Sequence, residues 1–527
     1  MRHFRWYVAT AALVAGVTTV ATAQPLYDWT EGPPADSPTA VASASADGPG
    51  AMSPAPIEHP VRVDLDLLRS GPALLGFPLP DGETIWALRT RFEDTGADGS
   101  VVWSGRDPGS AYNSVLLMLR EDRLMGKFAS GEDEYRILGS PKAGATISPV
   151  VRGTVAPDAF CRTVAPPAPS GEPNLTVAPP APSGEPKPGR PSEVAARLGS
   201  ASSTTVTQDV LVLYTEEARQ YVEDWSKDRW GNKVGPVYRG YTIRDLALYA
   251  NQVTNEVYSN SQIPAKTKVV GVLKMPADVD PGVGYSYGNQ TIWWQSENVG
   301  LKKLRAEYKA DIVYAYIYDA GLPCGEAFTR YKTTKEHQFA KHGHAHTNLY
   351  CDAPGWYKSN GKTWQIPYYE TMAHELGHIH GAFHDAKSTT LTADYGVFPY
   401  AFGYIDLASR KKTVMANHHS AAHVNYYSNV RISPNGWTLG MANQAENERV
   451  VQAMAASTSR LNEYPEAPSD LTVESTRVGT ARFDGPTQPT TRPAFGPTTA
   501  DSGRIGNGRS GGSTWDGRTS KRPTFRA

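Results

Sequence analysis

Cysteine is scarce in this chain of 527 residues: there are three, too few to close a structural zinc site with four thiolates. Charge of one sign is not in excess either. Lys and Arg number 52 against 53 Asp and Glu, so the balance gives no reason to expect a nucleic-acid partner or an acidic membrane surface. Long apolar runs are missing apart from residues 8–21, which fall short of the ~20 residues a membrane span needs. That run follows a basic stretch from Arg2 to Arg5 and leads into Ala21-Thr22-Ala23, the pattern of a secretory signal cleaved after Ala23. No cysteine follows it, which argues against a bacterial lipoprotein. The expected protein is therefore exported, without stable membrane insertion after signal cleavage, and extracellular, with periplasm or cell surface as alternatives.

The length exceeds one ordinary domain, and composition shifts divide it. After the signal (1–23), residues 24–60 are rich in Pro, Ala, Ser and Gly and are expected to be disordered. Over 61–160, short β-like runs such as 84–88 and 114–119 alternate with Asp-Gly and Pro-Gly turns, predicting a β-rich domain, read as a propeptide from its position. Residues 161–204 hold a direct repeat, Thr163 to Pro173 recurring as Thr176 to Pro186, whose prolines favour an extended spacer. From 205 to 462 strand and helix patterns alternate: strands near 210–214, 268–273 and 312–317, helices near 243–261 and 294–308. This order indicates an α/β fold with a twisted, mostly parallel sheet. A last amphipathic helix is expected over 443–457. The stretch 463–527 has few large apolar residues and reads as a disordered tail.

Chemistry concentrates in His374-Glu375-Leu376-Gly377-His378-Ile379-His380-Gly381-Ala382-Phe383-His384-Asp385. On a helix starting near Pro367, His374 and His378 lie one turn apart on one face and can direct imidazole nitrogens at one ion. Gly381 can take positive φ, end the helix and bring His384 round as a third ligand. Three nitrogen ligands with the fourth position left to water are the arrangement of one catalytic Zn2+. Glu375 sits about 100° round the helix from His374, beside that open position, where it can act as general base. The expected reaction is amide hydrolysis. His380, about 240° round from His374, cannot share the ligand face and is read as a supporting or packing residue.

The string resembles the H-E-x-x-H-x-x-G-x-x-H signature of the metzincin metalloproteases, and Asp385 after the third histidine resembles the reprolysin (adamalysin-like) branch. Asp209 to Thr215 and Asn425-Tyr426-Tyr427-Ser428-Asn429 are similar to segments of bacterial secreted reprolysin-like peptidases, a group that includes peptidyl-Asp metalloendopeptidases. The resemblance covers roughly 205–460. It implies a metzincin catalytic domain with an irregular C-terminal subdomain, a methionine turn at Met415, and a substrate-pocket wall carrying Tyr426 and Tyr427. It further implies a zymogen acting as an endopeptidase on protein or peptide substrates. A monomer is expected. Asn417 stands where astacin-like and serralysin-like enzymes carry tyrosine, so no fifth ligand is expected from it. Some enzymes of this appearance prefer an acidic residue after the scissile bond, which requires a buried Arg or Lys that the sequence does not assign. A metal-dependent amidase acting on cell-wall peptides and a non-catalytic zinc-holding adhesion protein are the alternatives.

In an exported chain Cys324 and Cys351 form a natural disulfide pair, the alternative being two buried thiols. Cys161 is left over: either a latency thiol able to occupy the open zinc position, or an unpaired surface or intermolecular thiol. His342, His344 and His346 alternate, and on a strand all point one way. A second metal is one reading; the favoured one is the solvated face of an edge strand, before Cys351, along which substrate lies.

Overall fold

The computed structural model of the protein describes residues 23–30, 58–150 and 205–463 with interruptions, the longest being 277–295, 332–341 and 350–356, together with the backbone of 161–164. The expected signal up to residue 22, the repeat within 165–204 and the tail beyond 463 lie outside the described residues. No described helix is long and apolar enough to cross a membrane.

Ten strands form the N-terminal sheet, a meander whose first and last strands, Gln24–Pro25 and Tyr27–Trp29, are separated in sequence by Leu26 alone, so that the sheet curls toward closure. Part of the stretch expected to be disordered over 24–60 is thus structured. The physical reason is burial, since Leu26 and Tyr27 are among the core residues, with Phe77, Trp103, Leu117 and Phe128. Glu121 and Asp122, both at positive φ, make the tight two-residue turn between Ser114–Arg120 and Arg123–Ser130. Alternation along Ser114–Arg120 then sends Val115 and Leu117 into this core, while Leu116 and Met118 face outward into a second one.

That second core belongs to the following α/β region. Its sheet runs in the order 161–164, 325–328, 344–348, 312–317, 206–214, 265–274, and every pairing is parallel except that between Gly325–Phe328 and His344–Asn348. Helix Ile243–Asn260 starts at a reciprocal capping box between Thr242 and Asp245. It packs on the sheet through Leu246, Ala250 and Val253, and meets Leu116, Met118 and Met125 of the N-terminal domain. Tyr241 Oη lies 2.5 Å from the Leu124 carbonyl and 2.7 Å from that of Gly139, fastening the helix entry to the same domain.

Two expectations are corrected. His344–Asn348 is flanked on both sides, so it is not an edge, and His342, His344 and His346 are buried rather than solvated. Burial pushes the His346 imidazole down to about 3 and that of His344 well below its usual range, so both are neutral. The strand turned antiparallel is Gly325–Phe328, and on its outer side lies Cys161–Val164, which the composition had assigned to the spacer. Boundaries also move: the helix expected over 294–308 spans Val299–Glu307, its start set by Asn298, whose side chain accepts from Leu301 N. The last helix spans Asn447–Thr458.

Candidate metal centre

Helix Tyr368–His380 carries the motif, and its end is set by Gly381 at φ 95°. This left-handed residue turns the chain, and the short strand Phe383–Asp385 brings His384 back beneath the helix. His384 Nε2 lies 3.2 Å from His374 Nε2 and 3.0 Å from His378 Nε2. Among the described residues this trio is the one group of metal-ligating side chains close enough to hold an ion.

The outer ring nitrogens explain why the inner ones face inward as acceptors. His374 Nδ1 is 2.7 Å from the Val414 carbonyl and His378 Nδ1 is 2.8 Å from that of Ala382, so each must donate there and keep its Nε2 lone pair for the centre. His384 Nδ1 sits 3.1 Å from the carboxamide of Asn417. Burial first, then neighbouring imidazoles, lower all three pKa values well below the usual range, so the rings are neutral. Converging unprotonated nitrogens repel one another unless a cation sits among them. The donor set therefore fits a zinc ion, with room for an external ligand because three protein groups converge.

Glu375 is fully buried beside this trio. Its carboxylate lies against Gly325, where an added Cβ would collide with both Oε1 and Cδ. Strand Gly325–Phe328 and the Glu375 carboxylate thus fit together only because residue 325 has no side chain. Gly325→Ala is expected to displace the carboxylate and lower any metal-dependent turnover by about 10²-fold, while bound metal stays stoichiometric. Activity within threefold of wild type would reject this packing argument.

Met415 is buried in the turn after Thr413, whose carbonyl accepts from Ala416 N at 2.9 Å. The Met415 sulfur occupies the space that a side chain on Gly377 would need, so the turn abuts helix Tyr368–His380 from below. Asp385 ties this floor together by accepting from Asn417 N at 3.0 Å and from the amides of Lys387 and Ser388 at 3.1 Å. His380 faces away from the trio, its Nδ1 2.6 Å from the Leu376 carbonyl and its Nε2 2.7 Å from Gln208 Nε2. Burial takes it down to about 4.

Tyr427 does not line a pocket wall: it is fully buried, donates to the Ala373 carbonyl at 2.5 Å and packs with Met415 and Val414. Its hydroxyl needs that carbonyl, which draws the ring under the helix. Tyr426 packs with Val424, Leu439 and Ala129, the last from the N-terminal domain. Cys324 is buried and disulfide-bonded; Cys351 lies outside the described residues, and of Cys161 only the backbone is described, paired with Gly325. Gly325 and the Cys161 strand escaped the sequence reading because both matter through pairing of distant segments, for which no local pattern exists.

A buried histidine trio with a carboxylate beside it defines a candidate hydrolytic metal centre. Similarity to known proteins points the same way. A stretch of 88 residues is 41% identical to the peptidyl-Asp metalloendopeptidase of Stenotrophomonas maltophilia strain R551-3, covering 16% of this chain and 20% of that protein. Over 85 residues the chain is 38% identical to the peptidyl-Asp metalloendopeptidase of Xanthomonas campestris pv. campestris, covering 16% and 19%. The chain thus spans about a fifth of the length of the curated relatives it matches. These matches support a metalloprotease family. No family model matches. Metalloproteinase-II from Bacteroides fragilis aligns with 67% of this chain and 86% of its own at 10% identity, with a TM-score of 0.34, too low to equate the folds.

Proposed function

We propose that the chain is an exported zinc-dependent endopeptidase of the reprolysin-like metzincin class, with the N-terminal β domain as its propeptide. The convergence of three buried Nε2 atoms beside the Glu375 carboxylate carries the reading. Zinc held by His374, His378 and His384 would supply Lewis acidity toward a peptide carbonyl and toward water. Glu375 takes the proton from the attacking water and delivers it to the leaving amine. An extended substrate adds to the sheet along Gly325–Phe328, the strand nearest Glu375, so that backbone pairing aligns the scissile bond.

Latency follows from what lies on that strand. Cys161–Val164 pairs with it residue for residue, Cys161 opposite Gly325, and so occupies the line a substrate would take. Cys161 is placed by its backbone opposite Gly325, the neighbour of Glu375. Cleavage in the spacer after 164 frees the edge.

The test is metal removal from the matured protein. Chelation is expected to abolish cleavage of a protein substrate and to lower the melting temperature, because the ion binds only the folded state. Stoichiometric zinc should restore both. Proteolysis that persists in metal-free protein would reject the reading, and cleavage confined to cell-wall peptides would replace it with the amidase.

A further inference from the structure

His374 and His378 are each held by a main-chain carbonyl, of Val414 and Ala382, to which Nδ1–H donates. His384 is supported differently, by a side chain. Asn417 Nδ2 lies 3.1 Å from His384 Nδ1 and 3.2 Å from its Nε2. Since Nε2 faces the other two histidines, Nδ1 is the atom left for a supporting bond. Asn417 is buried, and its Oδ1 has no hydrogen-bond partner, an unfavourable state for a buried oxygen. The backbone bearing this carboxamide is held without it. Asn417 N donates to Asp385 Oδ2 at 3.0 Å, Ala416 N to the Thr413 carbonyl at 2.9 Å, and His423 Nε2 to the Ala416 carbonyl at 3.1 Å. Asp385 directly follows His384, so the two segments are clamped twice, once through Asp385 and once through the Asn417 carboxamide.

Tautomer chemistry decides which end of the carboxamide can serve. A neutral imidazole carries one ring proton. With Nδ2 donating to Nδ1 that proton sits on Nε2, and a protonated Nε2 cannot hold an ion. With Oδ1 turned to the ring, Nδ1 keeps the proton and Nε2 has its lone pair free, as in His374 and His378. Half a turn about the last side-chain torsion exchanges the two ends with little change of shape. Resting on the zinc-centre reading above, we propose that Asn417 is the positioning residue of the third ligand, its Oδ1 accepting from His384 Nδ1–H whenever Nε2 serves the ion. A carbonyl accepts only and presets one tautomer; a carboxamide follows both. His374 and His378 are therefore the fixed ligands and His384 the adjustable one, with Asn417 a support and not itself a ligand.

The experiment measures zinc affinity of the full chain by competition with a chelator of known strength, for wild type, Asn417→Ala and Asn417→Asp. Asn417→Ala should weaken zinc binding by about 10- to 100-fold. Its metal-free melting temperature should match wild type while the rise on adding zinc shrinks, a split that a merely structural residue would not give. Asn417→Asp should bind zinc within about threefold of wild type or more tightly, because a carboxylate offers the acceptor alone. Zinc affinity of Asn417→Ala within about threefold of wild type overturns the proposal. So does an Asn417→Asp protein as weak as Asn417→Ala, since Oδ1 is then not the working atom. Should Asn417→Ala fail to fold, Asn417→Asp decides: affinity kept supports the proposal, and a loss beyond about threefold rejects it. Each of these rejections leaves the zinc centre standing. A wild type that binds no stoichiometric zinc refutes the underlying reading and removes the inference with it.

Discussion

Glu375→Gln should leave the protein folded and zinc-loaded while lowering kcat by about 10²- to 10⁴-fold, the range that a positioned proton carrier contributes. The two side chains have nearly the same shape, and Glu375 is fully buried against Gly325, so the packing survives the exchange. What is lost is basicity: a carboxamide cannot accept the proton of the attacking water and has none of the right acidity to give to the leaving amine. The three histidines are fixed by other partners, His374 by Val414, His378 by Ala382 and His384 by Asn417, so metal affinity has no reason to fall. Single-turnover cleavage of a peptide, together with elemental analysis of the same preparation, measures both halves. A variant that keeps zinc and cleaves at the wild-type rate would show that the proton travels through another group. A variant that loses zinc would show that Glu375 holds the centre together, a role the geometry does not assign it.

Much of this centre was legible because its information is local. His374 and His378 are one helical turn apart, and Gly381 takes the positive φ that a sharp helix end needs, so the spacing alone brings two ligands together and sends the chain toward the third. The same holds for helix Ile243–Asn260 and strand Ile312–Ile317, whose patterns are regular over their whole length. What escaped is non-local. Nothing near Gly325 in the sequence says that it faces Glu375. Nothing near His344 says that the strand bearing it is covered on both sides, and its alternating histidines look like a solvated face. Tyr427 resembled a pocket wall by its neighbours in sequence, yet its hydroxyl finds the Ala373 carbonyl across the core. Leu26 and Tyr27 sit in a Pro- and Ala-rich stretch that composition marks as unstructured, and two well-placed apolar side chains suffice to dock it.

Asp245→Ala is expected to have the largest effect on stability of any change outside the metal centre, because one carboxylate serves three structural ends. As the third residue of its helix it accepts from Thr242 N at 2.8 Å, closing the capping box. It also receives Arg120 Nη1 at 2.6 Å and Arg123 Nε at 2.8 Å, both from the N-terminal domain, while itself only 1% exposed. Deleting it leaves two nearly buried guanidinium groups facing an apolar side chain. Breaking such a buried pair from one side costs about 3–5 kcal/mol, against a total stability of about 5–15 kcal/mol for a typical domain. The expected fall in melting temperature is about 10 °C. The charge is central to the seam where Leu116, Met118 and Met125 meet the helix, so the N-terminal domain should also become more susceptible to limited proteolysis than the α/β region. Replacing Arg120 with Met in the same protein should recover part of the loss, because an apolar pairing removes one stranded charge. A melting temperature within 2 °C of wild type for Asp245→Ala would mean that the two arginines find water or other carboxylates, such as Glu121 at 2.6 Å from each, and that apolar contact alone holds the domains together.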